Sequence, residues 1–308
     1  MKILLTVLIS ALLFSHHTSG QSSPDDTLPE NPLNKPLISG YVRGLVQGGA
    51  SDYDYTNLFG EMAFKAQWRR SDLQMNAEMR VREGLFYDER NTALDLREAW
   101  AGYTSQYLDI YLGNQIVKWG RTDGFNPTDN ITPVDYFLLT EEPDDQRMSN
   151  FMLQTRIRPF RNTSLTLIAI PVYKPSVYRF DLFDMGGGYA SFLPSVMPDV
   201  SLSNSSWAAK FDAAMRGLDF SASYFNGYNT NYGYTVDSIS ILPQIAINYR
   251  PAYYRKQAIG IDLALPVAGN IIRGEAAFNL PENPGKSMHI PKRDISYVAG
   301  IERSILST

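Results

Sequence analysis

From Leu37 onward the chain alternates apolar and polar residues. The clearest stretch runs from Leu58 to Arg69. Leu58, Gly60, Met62, Phe64, Ala66 and Trp68 fall on one side, and Phe59, Glu61, Ala63, Lys65, Gln67 and Arg69 on the other. The next run repeats the design, with Leu73, Met75, Ala77, Met79 and Val81 against Gln74, Asn76, Glu78, Arg80 and Arg82. Neighbouring side chains point to opposite faces of a strand, whereas a helix brings residues three and four apart together, so this pattern predicts strands. Arg70, Ser71 and Asp72 supply the turn between the two runs.

The same character recurs in Leu37 to Val46, Leu94 to Tyr103, Leu108 to Gly113, Phe151 to Arg158, Ser164 to Ile170 and Trp207 to Arg216. It returns in Leu218 to Tyr224, Ile239 to Asn248, Ile259 to Leu263, Ile272 to Phe278 and Asp294 to Ile301. The clearest runs are longer than the usual soluble strand of about 5 or 6 residues. They match the roughly 9 to 11 that a tilted strand needs to cross a bilayer. In lipid every backbone N–H and C=O must find a partner within the protein, which strands achieve only as a closed sheet. The expected fold is therefore all-β: a transmembrane antiparallel β-barrel over residues 37–308, with about 14 or more strands in its complete form. A periplasmic β-sandwich would also alternate, but on shorter strands. Short connections (Pro159 to Thr163, Arg216 to Gly217) and long ones (Gly120 to Met148, Tyr173 to Ser205, Asn226 to Ser238) suit a barrel with short turns at one end and long loops at the other.

The N-terminus places this sheet in a cell. Lys2, the largely apolar run from Ile3 to Phe14, and the small residues Thr18 and Gly20 predict a signal peptide over residues 1–20. Residues 21–36 read as a flexible lead-in. Export and alternation together predict the outer membrane of a Gram-negative bacterium, with membrane lipid and small solutes as partners and a homo-oligomer compatible with both. Asp294 to Arg303 begins like a further strand and Thr308 is not aromatic, which leaves open that the barrel continues beyond this C-terminus.

Composition adds a few constraints. The chain holds 19 Tyr, 15 Phe, 4 Trp, 22 Gly and 18 Pro in 308 residues, a mixture suited to strands and turns. Trp68, Trp100, Trp119 and Trp207 are candidates for the interfacial girdles. The net charge is -4, with no basic block to grip nucleic acid. There is no cysteine, hence neither a disulfide nor a lipidated N-terminal cysteine. His16 and His17 leave with the signal peptide, so His289 alone cannot build a His-rich zinc site. No GxSxG elbow is present. Asp184 to Gly188 lacks the Gly-Lys-Ser/Thr of a phosphate loop, and Asp25-Asp26 and Asp144-Asp145 lack EF-hand spacing. No cofactor and no catalysis are expected.

One region departs from alternation. After Arg97-Glu98-Ala99-Trp100 comes LGNQIVKWGRTDGFNPTDNITPVDY, from Leu112 to Tyr136. These residues resemble those of a family of porin-like bacterial outer-membrane proteins of unknown function, and Tyr297 to Ile301 matches more weakly. The resemblance implies an outer-membrane barrel and a channel, without a substrate. In physical terms Gly113, Gly120 and Gly124 permit unusual backbone geometry, and Pro127 and Pro133 stiffen the segment. Arg121 offers a rigid fork of donors, with Asp123, Asp129 and Asp135 as candidate partners. Gly120 to Arg147 carries seven acids and two arginines. The expectation is an acidic loop folded into the lumen, marked by Arg121, Asp123, Asp129 and Asp135. It would face a partly basic wall that includes Lys65, Arg69, Arg80, Arg82, Arg156 and Arg158, with Arg97, Lys210, Arg216 and Arg273 as further wall positions. A purely structural role for Arg121 and Asp123, as ion-pair residues that hold the loop, stays open.

The functional expectation is a channel or transporter for small solutes. The alternative is a surface binding or assembly barrel handling cell-surface polysaccharide, with Tyr173, Tyr178, Phe180, Phe183 and Tyr189 stacking on sugars.

Overall fold

A computed structural model describes residues 35–49, 55–122, 124–182, 189–241 and 245–303. The signal peptide, nearly all of the lead-in, Asp123, Phe183 and the stretch from Asp184 to Gly188 lie outside the described residues.

Among the described residues the chain is all-β apart from two short 3-10 turns, Pro143–Gln146 and Phe180–Leu182. It divides into two compact units. Unit 1 takes in residues up to Gly102 together with Gly113–Gln115; unit 2 comprises Tyr103–Leu112 and Ile116–Thr308.

Unit 1 holds β1 (Leu37–Gly48), β2 (Thr56–Arg70), β3 (Leu73–Phe86) and most of β4 (Glu89–Thr104), neighbours in that order. The hairpins are tight. Tyr87 and Asp88 both take positive φ (52° and 68°), as a two-residue turn between twisted strands requires. Cross-strand register aligns Arg43, Glu61 and Arg82 in one row.

Unit 2 starts from the first part of β5 (Leu108–Gln115). It continues through β6 (Asn150–Ile157), β7 (Thr163–Ile170), β9 (Ser206–Met215), β10 (Leu218–Tyr228), β13 (Arg255–Val267), β14 (Asn270–Pro281) and β15 (Asp294–Arg303). From β6 to β15 successive neighbours in this run pair antiparallel. A separate small sheet joins β8 (Ala190–Phe192), β11 (Gly233–Ser240) and β12 (Ala246–Ala252), with β8 parallel to β12. Twelve strands thus belong to the long antiparallel runs, among the described residues. Among the described residues of its unit β1 pairs with β2 alone, and β15 with β14 alone. The run expected over Ile239 to Asn248 proves to be the end of one strand and the start of the next. Pro243 falls in its middle and cannot donate to a ladder.

The distribution of burial is inside out. On β2, Leu58, Met62 and Phe64 are 43–49% exposed, whereas Glu61 between them is 1% exposed. On β3, Met75 and Met79 are exposed and Asn76, Arg80 and Arg82 are buried. In unit 2, Ile259 and Ile261 are half exposed and flank a fully covered strand face at Ala258, Gly260 and Asp262. A water-soluble sheet does the opposite, because charged residues are almost never fully buried while large apolar ones seek the core.

Candidate functional site

The unusual segment folds over the polar face of unit 2. Val117, Trp119 and Ile131 pack against Met152 on β6, Ile168 and Ile170 on β7, Ala208 on β9, Phe225 on β10 and Ala258 on β13. These wall residues come from the covered faces of their strands, so the apolar core of the unit lies between loop and wall. Trp119 is therefore a core residue and not a girdle residue; Trp207, half exposed, remains at the surface.

Beneath the loop the strand register creates an electrostatic problem. Asp212, Ser221, Asp262 and Glu275 sit directly opposite one another across β9, β10, β13 and β14. Like charges in facing positions repel, and Asp262 and Glu275 are buried as well. The loop supplies the compensation. The Arg121 guanidinium donates through Nε to Asp262 and through Nη2 to Ser221 Oγ (3.0 Å). It lies 3.7 Å from Asp212 and 3.9 Å from Asp219. Ser221 in turn donates to Asp212 (2.8 Å), and Lys210 lies 3.2 Å from Asp212.

Glu275 is gripped separately. Its carboxylate accepts from the Arg121 N–H (3.2 Å), the Thr122 hydroxyl (3.0 Å), the Thr128 N–H (2.9 Å) and the Thr128 hydroxyl (2.7 Å). Arg273 donates to the Arg121 carbonyl (2.8 Å) and to Glu302. Two glycines make the fit possible. Gly120 has φ +103°, and a Cβ there would lie 2.6 and 2.7 Å from the Glu275 oxygens. Gly260 leaves room for Thr128, whose Cγ2 would be 2.6 Å from an added Cβ. Gly120→Ala thus combines backbone strain with a clash against a carboxylate. We expect it to destabilise the folded protein by about 2 to 3 kcal/mol, from the usual size of such strain plus a weakened buried carboxylate contact. Chemical denaturation in detergent measures this, and a loss below the level of a surface substitution would contradict the geometry.

The rest of the loop is held by its own bonds. Asp129 meets Arg147 at 2.6 Å, and Arg147 also reaches Asp144 (3.3 Å). Burial works against the Arg147 charge, but Asp129 and Asp144 outweigh it and hold the guanidinium above its ordinary value. Asp135 accepts from the N–H groups of Phe137 and Leu138. Thr132 both accepts from the Val117 N–H and donates to the Val117 carbonyl. A backbone bridge joins Asp135 to Val177, tying the loop to the start of the next long connection.

The expected loop residues therefore separate. Arg121 reaches the wall; Asp129 pairs with Arg147 and Asp135 caps the Phe137 and Leu138 N–H groups within the loop, and Asp123 is outside the described residues. The pairing between loop and wall also differs in sign from the expectation. In unit 2 a loop cation meets wall acids, because the register gathers acids that the linear sequence scatters. Of the expected wall cations in this unit, Arg158 pairs with Asp109, Lys210 joins the acidic row, Arg273 holds the Arg121 carbonyl and Glu302, Arg156 is half-buried on β6 and Arg216 is exposed.

In unit 1, Glu61 binds Arg43 (2.8 Å) and Arg82, and accepts from the Tyr41 hydroxyl (2.7 Å). Arg80 pairs with Glu78 (2.7 Å), Arg82 reaches Asp95 (3.4 Å) and Arg97 is buried. Lys65 and Arg69 sit half-buried on the same face of β2.

The long connections carry an aromatic cluster that sequence reading caught only in part. Tyr136, Tyr178 and Phe180 stack in series at 5.0 and 5.5 Å. Further ring contacts run through Tyr232, Tyr234 and Tyr253 to Tyr173, and through Phe192 to Tyr249. Burial pushes the Tyr173 and Tyr178 phenols up, so both stay neutral. Tyr189 is half exposed, and Phe183 lies outside the described residues. Among the described residues no group of three or more His, Cys, Asp or Glu could hold a metal ion.

No protein family matches the chain, and no curated protein does. Solved structures that match include OprB of Pseudomonas putida at high pH, with 13% identity and a TM-score of 0.41 over 86% of this chain and 69% of that one. OmpF of Salmonella typhi in complex with daunomycin matches with 11% identity and a TM-score of 0.39, over 80% of this chain and 66% of that one. OmpT, an outer-membrane protein of Vibrio cholerae in its trimer form, matches with 9% identity and a TM-score of 0.35, over 88% and 85%. Identity and TM-score are low throughout.

Proposed function

We propose that the chain is an outer-membrane β-barrel that passes small solutes, with the segment around Arg121 folded into its lumen. The observation that carries this reading is the inverted burial: apolar side chains face outward on strand after strand while charged ones are covered. Only a hydrocarbon surround makes that arrangement favourable. The outward faces contact membrane lipid, and a homo-oligomer would form through part of them. The loop narrows the water-filled interior without contributing chemistry, so the activity is passage and not catalysis.

Planar-bilayer recording of the refolded, purified protein tests this. Discrete current steps are expected. Their absence from protein shown by heat-modifiable migration to be folded would overturn the channel reading.

A second reading, the handling of cell-surface polysaccharide, is favoured by the aromatic cluster on the long connections. Retention on a glycan array, lost on deletion of residues 174–204 with the twelve long strands intact, would support it.

A further inference from the structure

The charged face of unit 1 is not neutral within itself, and the excess falls on two residues. The covered faces of β1 to β4 carry Arg43, Lys65, Arg69, Arg80, Arg82 and Arg97 against Glu61, Glu78, Asp95 and Glu98. The acids are already engaged. Glu61 takes Arg43 and Arg82, Glu78 takes both Nε and Nη2 of Arg80, Asp95 takes Arg82, and Glu98 accepts from Asn76 (3.0 Å).

Register makes the exclusion specific. Glu78 lies directly opposite Lys65 on the neighbouring strand, yet its carboxylate is turned to Arg80 on its own strand. Arg69 faces Gln74, and Gln67 between them faces Asn76. Neither Lys65 nor Arg69 has an ion pair among the described residues, and both are half-buried on a strand face whose other side is apolar and exposed. They are four residue steps apart on the strand, about 13 Å along the chain. The acids of unit 2 differ, since Arg121 and Lys210 are committed to that row; Asp219, outside the row, is half exposed and 3.9 Å from Arg121.

We propose that Lys65 and Arg69 form an anion-attracting stripe on the wall of the pore, so that the substrate class is small anionic solutes. This rests on the channel reading above. It assigns selectivity to a strand of unit 1 and leaves Arg121 a positioning role for the loop. A half-buried, uncompensated cation beside a low-dielectric wall focuses its field into the adjacent water and raises the local concentration of anions. Both cations lie toward the short-turn end of β2, close to the hairpin at Ser71 and Asp72.

Reversal potentials in a KCl gradient provide the test. The wild-type pore is expected to favour chloride over potassium. The double variant Lys65→Gln, Arg69→Gln should lower the chloride-to-potassium permeability ratio roughly fivefold or more, the effect of about one exposed charge acting through water at close range. Asp219→Asn should move the ratio the other way. A cation-selective wild-type pore, or a double variant with an unchanged ratio, would overturn the proposal while leaving the channel standing. Absence of any conductance would remove the channel reading and this inference with it.

Discussion

Arg121→Ala should release the loop and, in the proposed channel, widen the pore. The substitution leaves Asp262 buried without its guanidinium partner, next to Glu275 and across Ser221 from Asp212. Removing one member of a buried pair commonly costs about 3 to 5 kcal/mol, and the quarter exposure of the Arg121 side chain points to the lower end. Two readouts should move together: unit conductance should rise, and the bonds around Thr122 and Thr128 should become accessible to protease in the folded protein. Arg121→Ala combined with Asp262→Asn should recover much of the lost stability, because the second change removes the stranded charge. An unchanged single-variant conductance, or no recovery in the double variant, would contradict the docking described for this segment.

The largest effect of a single outward substitution is expected at Phe64. This ring is half exposed near the middle of β2 and alternates with the covered residues Ala63 and Lys65. Phe64→Arg would place a guanidinium against hydrocarbon, at a loss of about 2 to 4 kcal/mol if the site lies near the bilayer midplane. Folding into lipid vesicles, followed by urea titration, measures it. Phe64→Ala supplies the control for lost side-chain volume. If arginine were tolerated as well as alanine, the exposed apolar face would be facing water, and the barrel would have to be abandoned for a soluble sheet.

Alternation made most long strands legible, because every side chain on them meets one of two contrasting surroundings. The runs at Leu58 to Arg69 and Leu73 to Arg82 fall within β2 and β3, with their polar faces covered as the pattern implies. The small sheet was the weak point. Three-residue β8 is too short to display a period and pairs with a strand more than fifty positions away, and the β11–β12 hairpin was read as one run. At the site, the Trp-Gly-Arg-Thr segment stood out as chemistry-bearing, yet its partners could not be read. Asp262 lies 141 residues from Arg121, and its alignment with Asp212 and Glu275 depends on a register that a linear pattern does not specify. Gly120 and Gly260 were likewise visible as glycines only; what makes them necessary is a carboxylate and a threonine brought in from elsewhere.

The acidic row has a consequence for biogenesis. Strands β9, β10, β13 and β14 cannot come together at neutral pH without pressing Asp212, Asp262 and Glu275 into mutual repulsion, unless residues 120–128 arrive with them. Assembly of these strands is thereby made conditional on a segment synthesised much earlier. That segment serves as a template for the very strands it docks on, and a chain lacking it should stall as a partly assembled sheet.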